Sequence, residues 1–280
     1  GTNGWNPIQY AYNIEPTVPV YDPDSDDTFG YGTSTTGYGR TWNPLAFMDE
    51  SAQGTNITQH LYGNIFAEIT LYKDLVFKTD FGVNHKNNRS RSYSPIFYHT
   101  PDNKSDKNTI SQNSHSNSSW QWENTLRYKK EFGDHNISVL LGTSATEDRY
   151  EYINASRNNL PNEALTNEWY WYLNAGDVMT STNSGSANAR HAMFSYFSRL
   201  SYNYAEKYMA EFVIRRDGSS NFGPKNKYAV FPGFSLGWNI SNEKWWNVKN
   251  FDSFKLRASW GQNGNERISA FSYTSIIGNV

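Results

Sequence analysis

The chain has 280 residues, with 25 basic and 27 acidic side chains, and it contains no cysteine. A formal net charge of -2 gives no electrostatic reason to expect a nucleic-acid partner. The lack of cysteine excludes a disulfide framework and thiolate chemistry. Aromatic residues make up 16% of a chain that is only 37% hydrophobic, a combination that suits residues alternating between two environments.

Apolar and polar residues alternate with a period of two through most of the chain, which predicts β-strands. In chain order the candidate strands cover about 61–71, 77–86, 120–129, 137–144, 194–203, 208–215, 234–240 and 254–261. Each is roughly ten residues long, the length that a tilted strand needs to cross a bilayer. A transmembrane helix would need about 20 consecutive apolar residues, and no such run occurs.

The connections between these strands alternate between short and long. Short breaks lie near Tyr72, Gly133 and Ala205. Short periplasmic turns alternating with long extracellular loops are typical of outer-membrane barrels. We therefore expect residues 57–280 to form barrel strands, with extracellular loops at about 87–117, 151–189 and 217–227. Residues 1–56, which are rich in Gly, Pro, Asp and Thr, are expected to form a further extracellular loop region.

Aromatic residues gather beside the predicted short turns, where a barrel places its interfacial girdle. They are Tyr72, Tyr128, Phe132, Tyr202, Tyr204, Tyr208, Trp245 and Trp246. Alternation and turn spacing also fit a soluble β-sandwich. A sandwich, however, needs neither tryptophans beside its turns nor so many charged residues on one strand face, so the pattern favours a membrane barrel.

Motifs for catalysis, phosphate binding or metal binding give no strong signal. The six histidines lack a metal-ligand spacing such as HExxH, and no catalytic residue or cofactor is assigned. Asp22, Asp24 and Asp26 begin like a calcium-binding loop, so they are a candidate Ca²⁺ site. The glycine and glutamate that such a loop requires are replaced by Asp27 and Thr33, which favours a plain acidic loop.

The stretch from 194 to 265 carries a set of ordered motifs. They are Phe197-Ser198-Arg199-Leu200-Ser201-Tyr202-Asn203-Tyr204, Arg216-Asp217-Gly218-Ser219-Ser220-Asn221-Phe222-Gly223, Phe231-Pro232 with Gly237-Trp238, and Leu256-Arg257-Ala258-Ser259-Trp260-Gly261 before Gly264-Asn265. In this order and spacing the motifs closely resemble the SusC/RagA family of TonB-linked outer-membrane transporters. Weaker matching pieces occur earlier, at 19–22, 43–44, 63–64 and 75–78.

The resemblance implies an all-β fold, an antiparallel transmembrane β-barrel of about 22 strands with a plugged lumen, of which this chain supplies about eight. It implies a place in the outer membrane of a Gram-negative cell, in contact with lipid. It also implies non-enzymatic import of oligosaccharides or peptides, driven through TonB and covered by a SusD-like surface lipoprotein. Since the sequence shows no plug and no TonB box, we interpret it as an internal piece of the barrel.

An aromatic run, Trp169-Tyr170-Trp171-Tyr172, lies in the long loop predicted at 151–189. Exposed aromatic faces can stack on sugar rings, so these four residues are the candidate substrate-binding site. They can equally fill the loop's own core or contact the lipoprotein. Two other functions stay open at this point: a complete eight-stranded barrel with a structural or adhesive role, and a soluble secreted glycan-binding sandwich.

Overall fold

The computed structural model describes residues 6–33, 41–248, 252–266 and 268. In these residues eight strands form one sheet, and two short strands form a separate hairpin. None of the helices in this part of the chain combines the length and the apolar character that a membrane crossing requires. The all-β fold predicted from the sequence is confirmed, as are its eight main strands.

The elements follow one another along the chain with few helices. The strands are β1 Gln53–Tyr72, β2 Leu75–Ser94, β3 Phe97–Thr100, β4 Asn103–Ser105, β5 Thr109–Phe132, β6 His135–Asn158, β7 Thr182–Tyr204, β8 Tyr208–Ser219, β9 Tyr228–Asn239 and β10 Lys255–Gly261. The helices are α1 Pro7–Asn13 and α2 Pro44–Glu50, with 3₁₀ turns at Asn162–Leu165, Glu168–Tyr170, Leu173–Ala175, Val178–Thr180 and Ile240–Asn242. The sheet order is β1-β2-β5-β6-β7-β8-β9-β10, so sequential strands are neighbours.

Several strands are about twice as long as the alternation predicted. β5 and β6 each have 24 residues, and β1 and β2 each have 20. The segments that join β2 to β5 and β6 to β7 are therefore shorter than the predicted loops and cover only 95–108 and 159–181. Polar side chains bond across the added length: Asn88 Nδ2 donates to Asn56 Oδ1 at 2.7 Å, and the Ser156 and Thr182 hydroxyls lie 2.5 Å apart. Such cross-strand pairs stabilise a ladder that has no apolar face.

The short turns join β1 to β2, β5 to β6 and β7 to β8. Gly133, Ala205 and Glu206 in these turns have φ values of 56°, 50° and 55°. A positive φ matches the twist of the flanking strands in tight hairpins. It is strained for Ala205 and Glu206, and the Ala205 backbone N–H is held by the Asp134 carbonyl at 2.7 Å.

The register of β7, β8, β9 and β10 separates two rows of side chains. One row across the four strands is Leu200, Phe212, Phe234 and Trp260. The adjacent row, on the other face, is Ser201, Glu211, Ser235 and Ser259. Each apolar member is 45–54% exposed, and an exposed apolar surface that continues across four strands marks contact with lipid or a partner. The strand faces predicted from the alternation are confirmed for these rows.

The chain folds as two compact units, described by the residues that belong to each. Unit 1 contains the described residues within 1–59, 87–115 and 151–187, and unit 2 those within 60–86, 116–150 and 188–280. Unit 1 carries both helices, the β3–β4 hairpin and two small buried clusters. Unit 2 carries the short turns and the two rows of side chains. The candidate site residues lie in unit 1.

Candidate functional site

The segment 159–181 is fixed to unit 1 by polar side chains near the strand ends. Asn108 clamps Leu160, since its Nδ2 donates to the Leu160 carbonyl at 3.0 Å and its Oδ1 accepts from the Leu160 N–H at 2.7 Å. Arg157 donates to the Leu173 carbonyl at 3.1 Å and to Ser181 Oγ at 2.9 Å. The segment is thus an ordered loop, built from short 3₁₀ turns, that can present side chains in fixed positions.

Trp171 is the centre of this loop's own core. Its side chain is 6% exposed and packs with Tyr93, Ile110, Leu160 and Ala164. The indole Nε1–H donates to the Ala164 carbonyl at 2.7 Å. A buried Trp needs a partner for its N–H, and this bond provides one. Trp171 therefore has no free face for a ligand, which is the alternative that the sequence left open.

The other residues of the aromatic run are placed differently. Trp169 is 87% exposed, Tyr172 is 49% exposed, and Tyr170 packs against the Trp171 cluster. The Arg91 guanidinium lies over the Tyr172 ring, 4.5 Å from its centroid. This cation–π contact fixes one face of the phenol ring. Of the four predicted site residues, Trp169 and Tyr172 are the two whose rings are open to a ligand.

A polar recess of about 560 Å³ lies on the strands of unit 1, and sequence reasoning missed it. It is lined by hydroxyl, amide and imidazole side chains: Ser111, Asn113, His115, Asn154, Ser156, Thr182 and Ser184. The His115 ring stacks on Tyr152 with 5.9 Å between centroids. Because the long polar segments were interpreted as loops, their alternation was not followed. Ser111, Asn113 and His115 are two positions apart, so reading this segment as a strand would have placed them on one face of the recess.

A second cluster in unit 1 buries three titratable side chains together. Asp27, Glu50 and His99 lie under the indole of Trp42. His99 Nδ1 is 2.7 Å from Asp27 Oδ2, and Trp42 Nε1 donates to Glu50 Oε2 at 2.6 Å. Asp27 Oδ1 accepts the backbone N–H groups of Phe29 and Tyr31 at 2.8 and 3.0 Å. This network ties the segment before α2, α2 itself and β3 together.

The two carboxyl groups of this cluster differ in their pKa values. Burial, together with the hydrogen bond to Asp27, raises the pKa of Glu50 to about 8. Burial also acts to raise the pKa of Asp27, but hydrogen bonds from the Tyr31 N–H, Glu50, His99 and the Phe29 N–H outweigh it and hold that pKa below its usual value. At neutral pH the cluster therefore contains a protonated Glu50 beside an ionised Asp27.

The same three side chains have ligand atoms within 4.8 Å of one another, which is close enough to surround a metal ion. Glu50 Oε1 is buried and accepts no hydrogen bond. However, His99 Nε2 accepts the Asn43 backbone N–H at 3.4 Å, so its proton lies on Nδ1, toward Asp27. A histidine that binds metal through Nδ1 would need its proton on Nε2. A proton on Glu50 Oε1 satisfies every atom here without a metal.

The calcium candidate from the sequence lies near this cluster without joining it. Asp22 Oδ1 accepts the backbone N–H of Asp24 at 3.0 Å, as in a plain turn. Within the described residues, the group with three metal-ligand atoms close together does not include Asp22, Asp24 or Asp26. The Ca²⁺ site therefore stays a prediction. Asp27, which occupies the glycine position of that motif, has a structural role instead.

Comparison with known proteins finds relatives that match nearly the whole chain. No family model matches the sequence. The chain is 32% identical over 273 residues, 97% of its length, to TonB-dependent receptor P3 of Formosa agariphila. It is also 39% identical over 80 residues to TonB-dependent receptor SusC of Bacteroides thetaiotaomicron. The chain is therefore homologous to one part of the TonB-dependent receptors, SusC among them. The resemblance read from the motifs is thereby confirmed.

The solved structures similar to this chain agree with its fold. It aligns with the RagAB peptide transporter at a TM-score of 0.75 and 24% identity, over 89% of this chain and 27% of that one. The RagAB peptide importer in its open-open state gives a TM-score of 0.76 over 88% of this chain. The chain spans about a quarter, 26%, of the length of the Formosa relative.

The comparisons also bear on the kind of sheet that the chain forms. TonB-dependent receptors are outer-membrane β-barrel proteins of Gram-negative bacteria, so the eight-stranded sheet is a portion of a transmembrane barrel. The relatives are named as receptors and transporters. The row of Leu200, Phe212, Phe234 and Trp260 is an exposed apolar face of this sheet.

Proposed function

We propose that this chain forms part of the wall and the external loops of a pore that imports large nutrients across the outer membrane. The observation that carries the proposal is the separation of faces in β7 to β10, with an exposed apolar row on one side and a row of serines with Glu211 on the other. A wall between lipid and an aqueous lumen requires this pattern in every strand. Homology to TonB-dependent receptors supports the same function.

The orientation that we propose places the short turns in the periplasm and the long loops outside the cell. Its support is a chain of aromatic contacts beside the β7–β8 turn and the link from β9 to β10. Ring centroids are 4.8–6.4 Å apart along this chain, whose members are His135, Tyr204, Tyr208, Trp238, Trp245, Trp246 and Phe254. Aromatic rings of this kind form the girdle at a membrane interface.

The carboxylate of Glu243 holds part of this girdle beside the turn. Glu243 accepts hydrogen bonds from the Tyr208 hydroxyl at 2.6 Å, from Trp238 Nε1 at 3.1 Å and from Lys207 Nζ at 3.1 Å. Three donors on one carboxylate fix the phenol and indole rings relative to the link that follows β9. The polar ends of the rings then lie on the turn side, as an interfacial position requires.

For the substrate we propose an oligosaccharide or a peptide that contacts unit 1. Trp169 and Tyr172 offer open ring faces on a loop that is held by its own core. The polar recess beside Ser111 and Thr182 offers hydroxyl and amide groups, which can bond either the hydroxyls of a sugar or the amides of a peptide. The solved relative named a peptide transporter favours the second class.

The partners that we propose are a SusD-like surface lipoprotein above unit 1 and TonB on the periplasmic side. Unit 1 exposes apolar side chains that a lid could cover: Ile8, Tyr12, Val178 and Met179. Exposed apolar side chains at a protein surface mark such interfaces. Contact with TonB is assigned to no residue of this sequence.

Growth of a strain that lacks the gene tests this function. We expect the deletion strain to lose growth on one class of nutrient in a panel of glycans and peptides, and to regain it with the wild-type gene. A complementing gene with Trp169→Ala and Tyr172→Ala should restore growth only at higher nutrient concentration. If the deletion strain grew normally on every glycan and peptide while the protein was present in wild-type outer membranes, import of these nutrients would be excluded.

A further inference from the structure

Arg216 is a cation on the apolar face of the barrel wall. Its register partners are Tyr196 on β7 and Val230 on β9, and its side chain is exposed. The preceding Arg215 lies on the opposite face, where it donates to Asp217 at 2.6 Å and to Ser195 Oγ at 2.8 Å. Arg216 instead lies over the Tyr228 ring, 4.6 Å from its centroid. No ion pair joins it to a carboxylate in the described residues.

Arg216 lies near one edge of the apolar band that the strands would present to the membrane. It lies on β8 eight positions from Tyr208 (216 minus 208), which belongs to the aromatic girdle. With a rise of about 3.3 Å per residue and a tilt near 40°, this separation is about 20 Å along the membrane normal. The apolar band of such barrels is about 25 Å tall. Arg216 is therefore within a few ångströms of the boundary opposite the short turns.

An apolar groove of about 550 Å³ runs below this guanidinium on the same face of unit 2. Apolar side chains from six strands line it, and on the face of Arg216 they are Phe77, Leu126, Leu141, Tyr196, Ile214 and Val230. Phe197 of β7, which pairs with Arg215, also reaches its lining. The groove is shallow and open along its length. Arg216 is the charged residue among those that line the groove.

Further positive charge lies just beyond β8. Lys225 and Lys227 are exposed in the link to β9, and in the described part of the chain neither forms an ion pair with a carboxylate. Asp217, the acidic residue next to Arg216, is already bonded by Arg215. The charge at this corner of the wall is thus positive and unbalanced, which favours an anionic ligand.

We propose that Arg216 and the groove below it bind one lipid molecule that carries an exposed phosphate, with an acyl chain in the groove and the phosphate on the guanidinium. Arginine is suited to this because its planar group donates two parallel hydrogen bonds to phosphate. Lys225 and Lys227 add longer-range attraction from the link above. The proposal rests on the membrane position of the wall and holds whichever nutrient is imported.

Lipid binding to the intact protein, purified in detergent, tests this site by native mass spectrometry. The probes are phosphatidic acid and phosphatidylcholine with the same acyl chains, since choline masks the phosphate. We expect the wild-type protein to bind one phosphatidic acid about tenfold more tightly than phosphatidylcholine, and Arg216→Gln to abolish that preference. Arg216→Lys should keep part of it, because an ammonium still attracts phosphate. Heat-dependent migration in gels confirms that each variant is folded.

Arg199→Gln is the matched control. Arg199 is an exposed arginine of β7 on the lumen face, so its loss removes the same charge without touching the groove. The control should keep the full preference for phosphatidic acid. Equal binding of both lipids to the wild type, or equal loss in Arg199→Gln and Arg216→Gln, would overturn the proposal. Displacement of the lipid by millimolar inorganic phosphate would assign the site to a free anion instead and would also overturn it.

Discussion

The indole of Trp171 lies flat on the phenol ring of Tyr93, with 5.1 Å between ring centroids and 14° between planes. Tyr93 comes from the end of β2, and Trp171 follows a 3₁₀ turn in the segment between β6 and β7. The stack joins two parts of the chain that are distant in sequence. It explains how a loop rich in polar residues keeps a fixed shape.

Replacement of Trp171 should loosen the loop. Trp171→Ala removes the stack on Tyr93 and the bond to Ala164, and loss of a buried Trp costs about 3 to 5 kcal/mol. We expect segment 159–181 to be cleaved much faster by protease in the folded, detergent-solubilised protein. Trp169→Ala is the control, since that side chain is exposed and its loss should leave cleavage unchanged. Equal protection in both variants would contradict the role given to Trp171.

Loss of the exposed rings should weaken substrate binding while the barrel stays intact. Trp169→Ala and Tyr172→Ala should each reduce affinity by about 1 kcal/mol, the usual contribution of an aromatic contact. Titration of the purified protein with the nutrient identified by growth measures this. Met179→Ala removes an equally exposed side chain that lacks a ring, so it should bind normally. Unchanged affinity with a weakened lipoprotein complex would place the rings in the lid interface.

A cation in the apolar row should impair assembly of the barrel. Phe212→Arg places a guanidinium in the apolar band, which costs about 2 to 4 kcal/mol at mid-bilayer. The matched control is Ser235→Arg, because Ser235 pairs with Glu211 on the opposite face and the new charge would be balanced. We expect much less folded, heat-modifiable protein in the membrane for the first variant and near-normal amounts for the second. Similar losses in both would contradict the assignment of faces.

The stability of unit 1 should depend on pH through the titration of Glu50. Its pKa is about 8 in the folded protein against an ordinary 4.5, so folding holds a proton that the unfolded chain releases. The stabilisation is complete below about pH 4.5 and is lost as the pH rises through 8. Asp27 has the opposite sign, since its lowered pKa gives stability that is lost only in acid.

Glu50→Gln tests this dependence, because the amide can still donate to Asp27 and accept from Trp42. We expect the opening free energy of α2, obtained from amide hydrogen exchange after correction for the intrinsic exchange rate at each pH, to become independent of pH between about 5 and 8.5, with a gain of about 1 to 3 kcal/mol at the upper end. Glu163→Gln changes an exposed carboxyl of the same unit and should keep the wild-type slope. A slope that survives in Glu50→Gln would show that another group titrates.

The strand faces could be predicted because each is set by local alternation. Leu200 and Phe212 share a face in the sequence pattern and meet across β7 and β8 in the structure. The ends of the strands could not be predicted, because Ser111 or Thr182 in a polar strand has no apolar partner to mark its period. There the ladder depends on cross-strand hydrogen bonds, which a single strand's sequence does not show.

The candidate site was only partly predictable for a related reason. Trp169 and Trp171 are two positions apart and chemically identical, yet one is exposed and the other is buried against Tyr93. Their difference arises from contacts with β2 and β5, far away in sequence. The cluster of Asp27, Glu50 and His99 is hidden similarly, since its members come from three separate segments. Composition indicated an aromatic site but not which rings are free.

Spin-label accessibility along β8 tests most directly whether these strands form a wall between lipid and an aqueous lumen. Single cysteines from Tyr208 to Ser219 can be labelled one at a time in an otherwise cysteine-free protein, reconstituted in lipid. We predict that labels at 210, 212 and 214 collide with oxygen, and that labels at 209, 211 and 213 collide with a water-soluble nickel chelate. Uniform accessibility along the strand, or the opposite phase, would contradict the account.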